Sequence, residues 1–543
     1  MDTIRSLQDC TSEGYVDSNT DSNLGGSYAS NNNSGCAGGS ENNDSNKNDV
    51  DSAQQRTPRS AAERVLSIPE LVLLVLELAS SRTWPALRLL SRTCNEIVQP
   101  HIWKTIACHT PLASSKRQPH IRNNAHRVET LKLDALTQPY VSNLLQELSH
   151  FHSFPNLTSL ILCDSQVTLD QLSALLAKVS QLKEIDIQRC HLRKHPLEVL
   201  APCINIESMA FSHRNVLLSP EFDLNNAFSH WKRLKRLSIT AYQDTGIGLS
   251  ARQFEQVINK SQLDLESLEL CAPYWKTETI AGLIMRNSNL KRLALKNCIF
   301  SEQGWTQVLP SLANLQSIAL HNKYRRSLDD RLKTFRACPL VQHIELNGFL
   351  IYSQQLKALA QDVTALSSLT LSNCSYTADE LRHILDLSAG LERLHVHELK
   401  GYGTVVTLFK EGPWACGKLK ELVFSDIMWT LYGLESGLLL KEALETMWTG
   451  IGKLTQLRVL TLRHVHRTDA IGLGIHWFGA PSSLECLCLT GHGSWKKWDI
   501  AWIAEHLPRL DVLEYDSKEM YTAQWSWLRK NWPDVRLKEA ERC

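Results

Sequence analysis

Cys486 and Cys488 lie two residues apart in LECLCL, and His464 and His492 flank them in the chain. Thiolate and imidazole are ligands that zinc favours, so chemistry is sought here first. In an extended strand both cysteines point away from Leu487, onto one exposed face. A lone pair at that spacing is not the pattern of a zinc site, so these read as strand residues. The pairs His395 with His397 and His464 with His466 read as surface residues in the same way. There is also no phosphate-binding glycine loop, metalloprotease helix motif or nucleophile elbow. No catalytic residue, metal or cofactor is expected.

Composition narrows the partners. Against 58 basic residues stand 57 acidic ones, a formal charge of +1. No global basic excess exists to draw in nucleic acid. The cysteines number 15, an odd count, and the opening MDTIRSLQDCTSEG has no apolar core of a secretory signal. Reduced thiols in the cytoplasm or nucleus are expected. The apolar run LVLLVLELA is broken by Glu77 and is too short to span a bilayer, so no membrane partner is expected.

The elements that hold these residues come from a repeat. In LKRLALKNC, Leu290 to Cys298, leucine fills the first, fourth and sixth places and cysteine the ninth. Leu293 and Leu295 share one strand face, a row too small to form a core alone. The same spacing starts at Leu157, Leu182, Leu265, Leu315, Val341, Leu366, Leu391, Leu457 and Leu484, with looser copies at Val128, Ile206, Leu234, Leu419 and Leu510. That makes about fifteen copies, mostly 24 to 31 residues apart, the train expected of leucine-rich repeats.

Each repeat predicts a short strand, a turn and a helix, with strands stacked in parallel on the inside of an α/β horseshoe. Leu172, Leu175, Leu176 and Val179 mark one such helix face, and Leu381, Ile384, Leu385 and Leu387 another. The wide gap after Leu419 requires an extra loop or longer helix. The terminal AQWSWLRKNWPDVRLKEAERC breaks the pattern and reads as a cap. Cys190, Cys298 and Cys374 fill the ninth place, where a small, weakly polar thiol packs inward and meets backbone groups of the turn.

Ahead of the solenoid, assigned to 125–543, lie two different segments. Residues 1–60 are rich in Ser, Asn, Gly and Asp and cannot bury enough apolar surface to order, so a disordered tail is expected. Residues 64–107 predict three short helices. Ser67 and Glu70 have capping-box spacing, with Pro69 in the first turn. Leu71, Val72, Val75, Leu76 and Ala79 follow helical spacing. Pro85 opens a second helix carrying Leu87, Leu89 and Leu90. A third runs from Thr93 to Val98, stopping before Pro100, with Ile102 and Trp103 beyond. The first helix is apolar on more than one side and needs a second surface to cover it.

This segment resembles an F-box. Ile68-Pro69-Glu70-Leu71 matches the opening of the family motif, Val75 and Leu76 its aliphatic positions, Arg88-Leu89-Leu90-Ser91-Arg92 its middle and Trp103 its end. Cys94 departs from it, standing where the family has an aromatic. Tail, F-box and leucine-rich solenoid is the domain order of F-box proteins with leucine-rich repeats. The resemblance implies a substrate-recognition subunit of a Skp–cullin–F-box ubiquitin ligase, with no bond chemistry of its own. No segment offers the context of a thioester-forming ligase cysteine. A Skp-type adaptor would dock on Ile68, Pro69, Leu71, Val72, Val75 and Leu76, with support from Leu90 and Trp103, and would join the chain to a cullin and a RING subunit. The alternative is a leucine-rich scaffold without ligase function, in which residues 64–107 only cap the first repeat.

A protein substrate is the remaining expected partner, held on residues between the strand leucines. These are Lys183, Glu184 and Asp186; Lys235 and Arg236; Glu266 and Glu269; Lys291 and Arg292; and Gln342, His343 and Glu345. Their signs alternate between repeats, which suits a partner of mixed charge better than a polyanion. Aromatic and arginine anchors for the substrate are expected just after the strands, at Trp275, Tyr324, Arg325 and Arg326, with Tyr274 and Tyr352 nearby.

Overall fold

The computed structural model describes residues 68, 71–72, 90, 92–108, 124–134, 154–165, 167–190, 197–200, 203–213, 230–241, 263–273, 275–322, 327–328, 334–397, 408–409, 414–425, 437–463, 475–479, 483–490, 497–515, 522–532 and 535–539. All belong to the unit Ala61–Cys543. The tail expected over 1–60 lies outside the described residues.

Among the described residues alternation builds one sheet of 17 strands. They are β1 Thr105–Cys108, β2 Thr130–Asp134, β3 Ser159–Cys163, β4 Glu184–Gln188, β5 Ser208–His213, β6 Arg236–Ala241, β7 Ser267–Cys271, β8 Arg292–Lys296, β9 Ser317–His321, β10 His343–Asn347, β11 Ser368–Ser372, β12 Arg393–His397, β13 Glu421–Ser425, β14 Val459–Arg463, β15 Cys486–Thr490, β16 Val512–Tyr515 and β17 Arg536–Glu539. Each pairs in parallel with the strand before and the strand after it in sequence. The fold is a leucine-rich-repeat solenoid.

Register places like beside like. Leu293 sits between Leu268 and Ile318, and Leu295 between Leu270 and Leu320. All six are buried, as is the first-place Leu290. Burying a leucine fully stabilises by about 1.5–3 kcal/mol, and each repeat supplies several. The core is one continuous cluster from Ala125 to Val535. Before each strand the second-place carbonyl accepts two N–H groups of the next repeat. Glu266 O, for instance, accepts from Lys291 and Arg292 at 2.8 and 3.1 Å.

Helices cover the buried side. Thr168 caps Leu169–Leu176 and Thr377 caps Ala378–Leu387, each in a reciprocal box with Gln171 or Glu380. Leu172, Leu175, Leu176 and Val179 are buried as expected, as are Leu381, Ile384 and Leu385. Leu387 is exposed instead, because helical spacing from Leu381 and Ile384 carries the buried face to Ser388. The gap after Leu419 holds the 16-residue helix Gly437–Gly452.

Three boundaries differ from the sequence reading. The helix expected to stop before Pro100 runs from Arg92 to Lys104. Its two ends are anchored across the proline by Val98 and Ile102, and Trp103 Nε1–H donates to Gln99 Oε1 at 2.9 Å. The sheet starts at Thr105, where β1 pairs with β2, ahead of residue 125. At the other end the chain does not leave the pattern. The helix Thr522–Asn531 leads into β17, paired on β16.

Candidate protein interface

The ninth-place cysteines set the turns that end β4, β8 and β11. Cys190 Sγ donates to Leu162 O at 3.4 Å, Cys298 Sγ to Leu270 O at 3.4 Å and Cys374 Sγ to Leu346 O at 3.5 Å. Each also reaches a carbonyl two residues back, on Gln188, Lys296 and Ser372. Ser165 makes the same pair of bonds, to Leu133 and Cys163. The residue before each of these, Asp164, Arg189, Asn297 or Asn373, has positive φ, and Gly348 repeats the conformation. Burial pushes the Cys190 and Cys298 thiols up to about 12 and Cys374 up to about 11. These are structural thiols, as their repeat position implies, and weak nucleophiles.

On the open face of the sheet, second-place charges pair across repeats. Glu266 lies between Lys235 and Lys291, at 2.9 Å from each ammonium. Their hydrogen bonds, Lys291 first, hold its carboxyl down at about 2. Lys183 faces Glu207 at 3.9 Å, Lys420 faces Glu392 at 3.0 Å, and Arg458 faces Glu485 at 3.6 Å. The alternation of sign read from the sequence is thus a set of ion pairs within the protein. Exposed pairs of this kind are screened by solvent and contribute little to stability.

Further along the strands the polar groups are more enclosed. Lys296 meets Glu269 at 2.6 Å, and His321 Nε2 meets Glu345 Oε1 at 2.7 Å. The His321 bond lowers the Glu345 carboxyl despite its partial burial. Burial raises the Asp186 carboxyl, opposed by the Gln188 amide that donates to it at 2.8 Å. His395 meets Glu421 at 3.0 Å, and His397 contacts the Ser425 hydroxyl. Arg463 reaches across β15 to Glu514 at 2.9 Å. Among the described residues no three His, Cys, Asp or Glu side chains form a metal site.

The candidate residues divide. Ile68 (43% exposed), Leu71 (36%) and Leu90 (54%) are open apolar side chains. Val72, expected on the same docking face, is 2% exposed and closes a small core with Cys94 and Val98. Its N–H bonds Ile68 O at 3.2 Å, one helical turn that points Val72 inward and leaves Leu71 out. Trp103 is half-buried against the solenoid core and makes the joint to the sheet. Pro69, Val75 and Leu76 lie outside the described residues.

For the substrate anchors the correction is Trp275, only 5% exposed and part of the continuous core. An aromatic after the strand packs beneath the next helix when that helix starts at once, here at Thr277. Tyr324, Arg325 and Arg326, like the side chain of Tyr274, lie outside the described residues, and Tyr352 is exposed. Cys488 is also corrected. It is buried, with its thiol pushed up to about 11 by burial, although Cys486 is half-exposed as read. The crossing Arg463–Glu514 pair covers it. The sequence reading named Arg236, Arg292 and His343 but missed the third-place row they form, which becomes visible only when repeats are set in register.

The chain matches no protein-family profile and no curated protein. Among solved structures it is similar to an internalin from Listeria monocytogenes, at 15% identity and TM-score 0.32, over 75% of this chain and 94% of that one. A TLR13–ssRNA13 complex is similar at 13% identity and TM-score 0.34, over 78% and 69% respectively. The repeat architecture stands on the register and burial of its own strands, without support from likenesses this distant.

Proposed function

We propose that this chain is the substrate-recognition subunit of a Skp–cullin–F-box ubiquitin ligase. Segment 64–107 docks a Skp-type adaptor, and the open face of the sheet holds a protein substrate. Catalysis is left to other subunits. The chain raises the effective concentration of a substrate lysine near a ubiquitin-loaded enzyme. One observation carries the reading beyond the motif. Among the described residues Ile68, Leu71 and Leu90 are exposed, and Val72, Cys94 and Val98 form a core cluster separate from that of the solenoid. Exposed apolar side chains in such a segment favour a partner that covers them.

The test is capture of a purified Skp-type adaptor by the full chain and by a variant with Ile68→Asp, Leu71→Asp and Leu90→Asp. Loss of capture with unchanged circular dichroism is expected. Undiminished capture by the variant, or none by the folded parent, overturns the assignment. A scaffold in which 64–107 is only a cap remains the competing reading. It is favoured by Trp103 and Ile106, which pack on the solenoid core, and by the pairing of β1 with β2. On that reading the parent captures no adaptor.

A further inference from the structure

Third-place residues form one row across the sheet. From β6 to β12 the basic members are Arg236, Arg292, His343 and Arg393, on every second strand. Ser267, Ser317 and Ser368 stand between them, each beside its neighbours in register. Adjacent strands are about 4.8 Å apart, so successive basic residues are roughly 9.6 Å apart.

This row is less fully neutralised within the protein than the second-place row. Arg292 is exposed and has no ion pair with any described carboxylate. Arg393 donates to His343 Nδ1 at 3.2 Å. Arg236 forms a long, exposed pair with Glu184, at 3.9 Å. Arg236, Ser267 and Arg292 line a depression of about 420 Å³ with Lys235, Lys291 and Glu266.

The spacing selects a ligand conformation. A β-strand returns a side chain to one face every 6.7 Å or so, out of step with the row. A polyproline II helix has three residues per turn and rises about 3.1 Å per residue, so every third side chain faces the same way after about 9.3 Å. Its carbonyls have no internal partners and are free to accept from serine hydroxyls. A nucleic-acid backbone suits the face less well, because Glu207 and Glu266 border the row and the chain carries only +1 overall.

We infer that this row is a docking track for an extended acidic segment of a protein partner, with a carboxylate at every third residue in polyproline II conformation. The inference rests on reading the open face as a protein-binding surface. It names the partner's chemistry.

The probe is a fluorescein-labelled peptide with glutamate at every third position in a proline-rich sequence, titrated with the full chain by fluorescence anisotropy. Controls are a peptide of equal composition with its glutamates adjacent and a labelled single-stranded oligonucleotide. The in-register peptide is expected to bind at least about fivefold more tightly than the permuted one, the upper worth of one exposed ion pair. Arg292→Glu with Arg393→Glu should weaken it by more than about tenfold, since like charges then face each other. Both arginines are exposed, and circular dichroism reports whether the variant folds. Equal binding of the two peptides, undiminished binding by the folded variant or tighter binding of the oligonucleotide overturns the track. If neither peptide binds while the adaptor is captured, the track is lost and the ligase-subunit reading stands. Peptide binding without adaptor capture gives the reverse.

Discussion

The solenoid and the helical segment before it treat apolar surface in opposite ways. In the solenoid, leucines at the first, fourth and sixth places are buried repeat after repeat, and the open face is polar. Among the described residues of the helical segment Val72, Cys94 and Val98 close a core, while Ile68, Leu71 and Leu90 are exposed. Stacking explains the difference. Every repeat has a neighbour on each side to cover it, so its apolar row is satisfied internally. The described part of the helical segment leaves Ile68, Leu71 and Leu90 uncovered by the chain. One chain thus offers two unlike surfaces, one apolar and one charged.

Substitutions of the same residue type on the two sides of this comparison should give the largest contrast. Leu293→Ala removes a buried side chain between two others of its kind and should cost about 2–5 kcal/mol. Thermal and denaturant unfolding followed by circular dichroism measure it. Leu71→Ala, at an exposed site, should change stability by no more than about 0.5 kcal/mol. Equal costs would mean that Leu71 is already covered within the chain, as the cap reading requires.

A smaller effect sharpens the comparison inside the solenoid. Gly348 occupies the turn position before the ninth place with φ +76°, and an added Cβ would meet Asn322 O at 2.1 Å. Asn373 holds the equivalent position with φ 52°. Gly348→Ala should therefore destabilise by about 1–3 kcal/mol, through backbone strain and the clash. Asn373→Gly should stay within about 1 kcal/mol, because glycine tolerates that conformation but costs more entropy. Similar losses at both sites would show that the side chain, rather than φ, sets this turn.

Most of the solenoid was legible because a period of two along the strand and the repeat spacing both constrain the same leucines. The ninth-place cysteine was legible for the same reason, and its carbonyl partners are where the turn requires them. The misreadings share a cause, which is burial decided by groups distant in sequence. Trp275 looked like an anchor until the following helix covered it, and Cys488 looked exposed until Arg463 and Glu514 closed over it. Val72 could not be separated from Leu71 by composition, since only the helical turn decides which points inward. The arginine–serine row is hidden for a geometric reason. Its members are about a repeat apart in the chain, and their alternation appears only along the sheet.

His343 gives the smallest and most local prediction. It sits at the centre of the row, with Arg292 on β8, Ser317 on β9, Ser368 on β11 and Arg393 on β12 around it, and Glu345 further along its own strand. Burial first, then Arg393 and Arg292, lower its pKa below the ordinary histidine value. The ring is neutral at pH 7, with Nδ1 accepting from Arg393. A carboxylate docked beside it favours the charged ring, so its pKa is higher in the complex than in the free protein. Protons are then taken up on binding, and affinity for the in-register peptide rises as pH falls through the bound-state pKa, levelling below the free-state one. Folding responds with the opposite sense. A histidine depressed in the folded state binds fewer protons than in the unfolded one, so its contribution to stability declines as pH falls through the unfolded value. Arg393→Gln removes one of the two cations and should raise the His343 midpoint, read from its ring proton shifts by NMR. The peptide affinity of that variant should also gain less on acidification. A midpoint that does not move would assign the depression to burial alone and remove His343 from the electrostatics of the row.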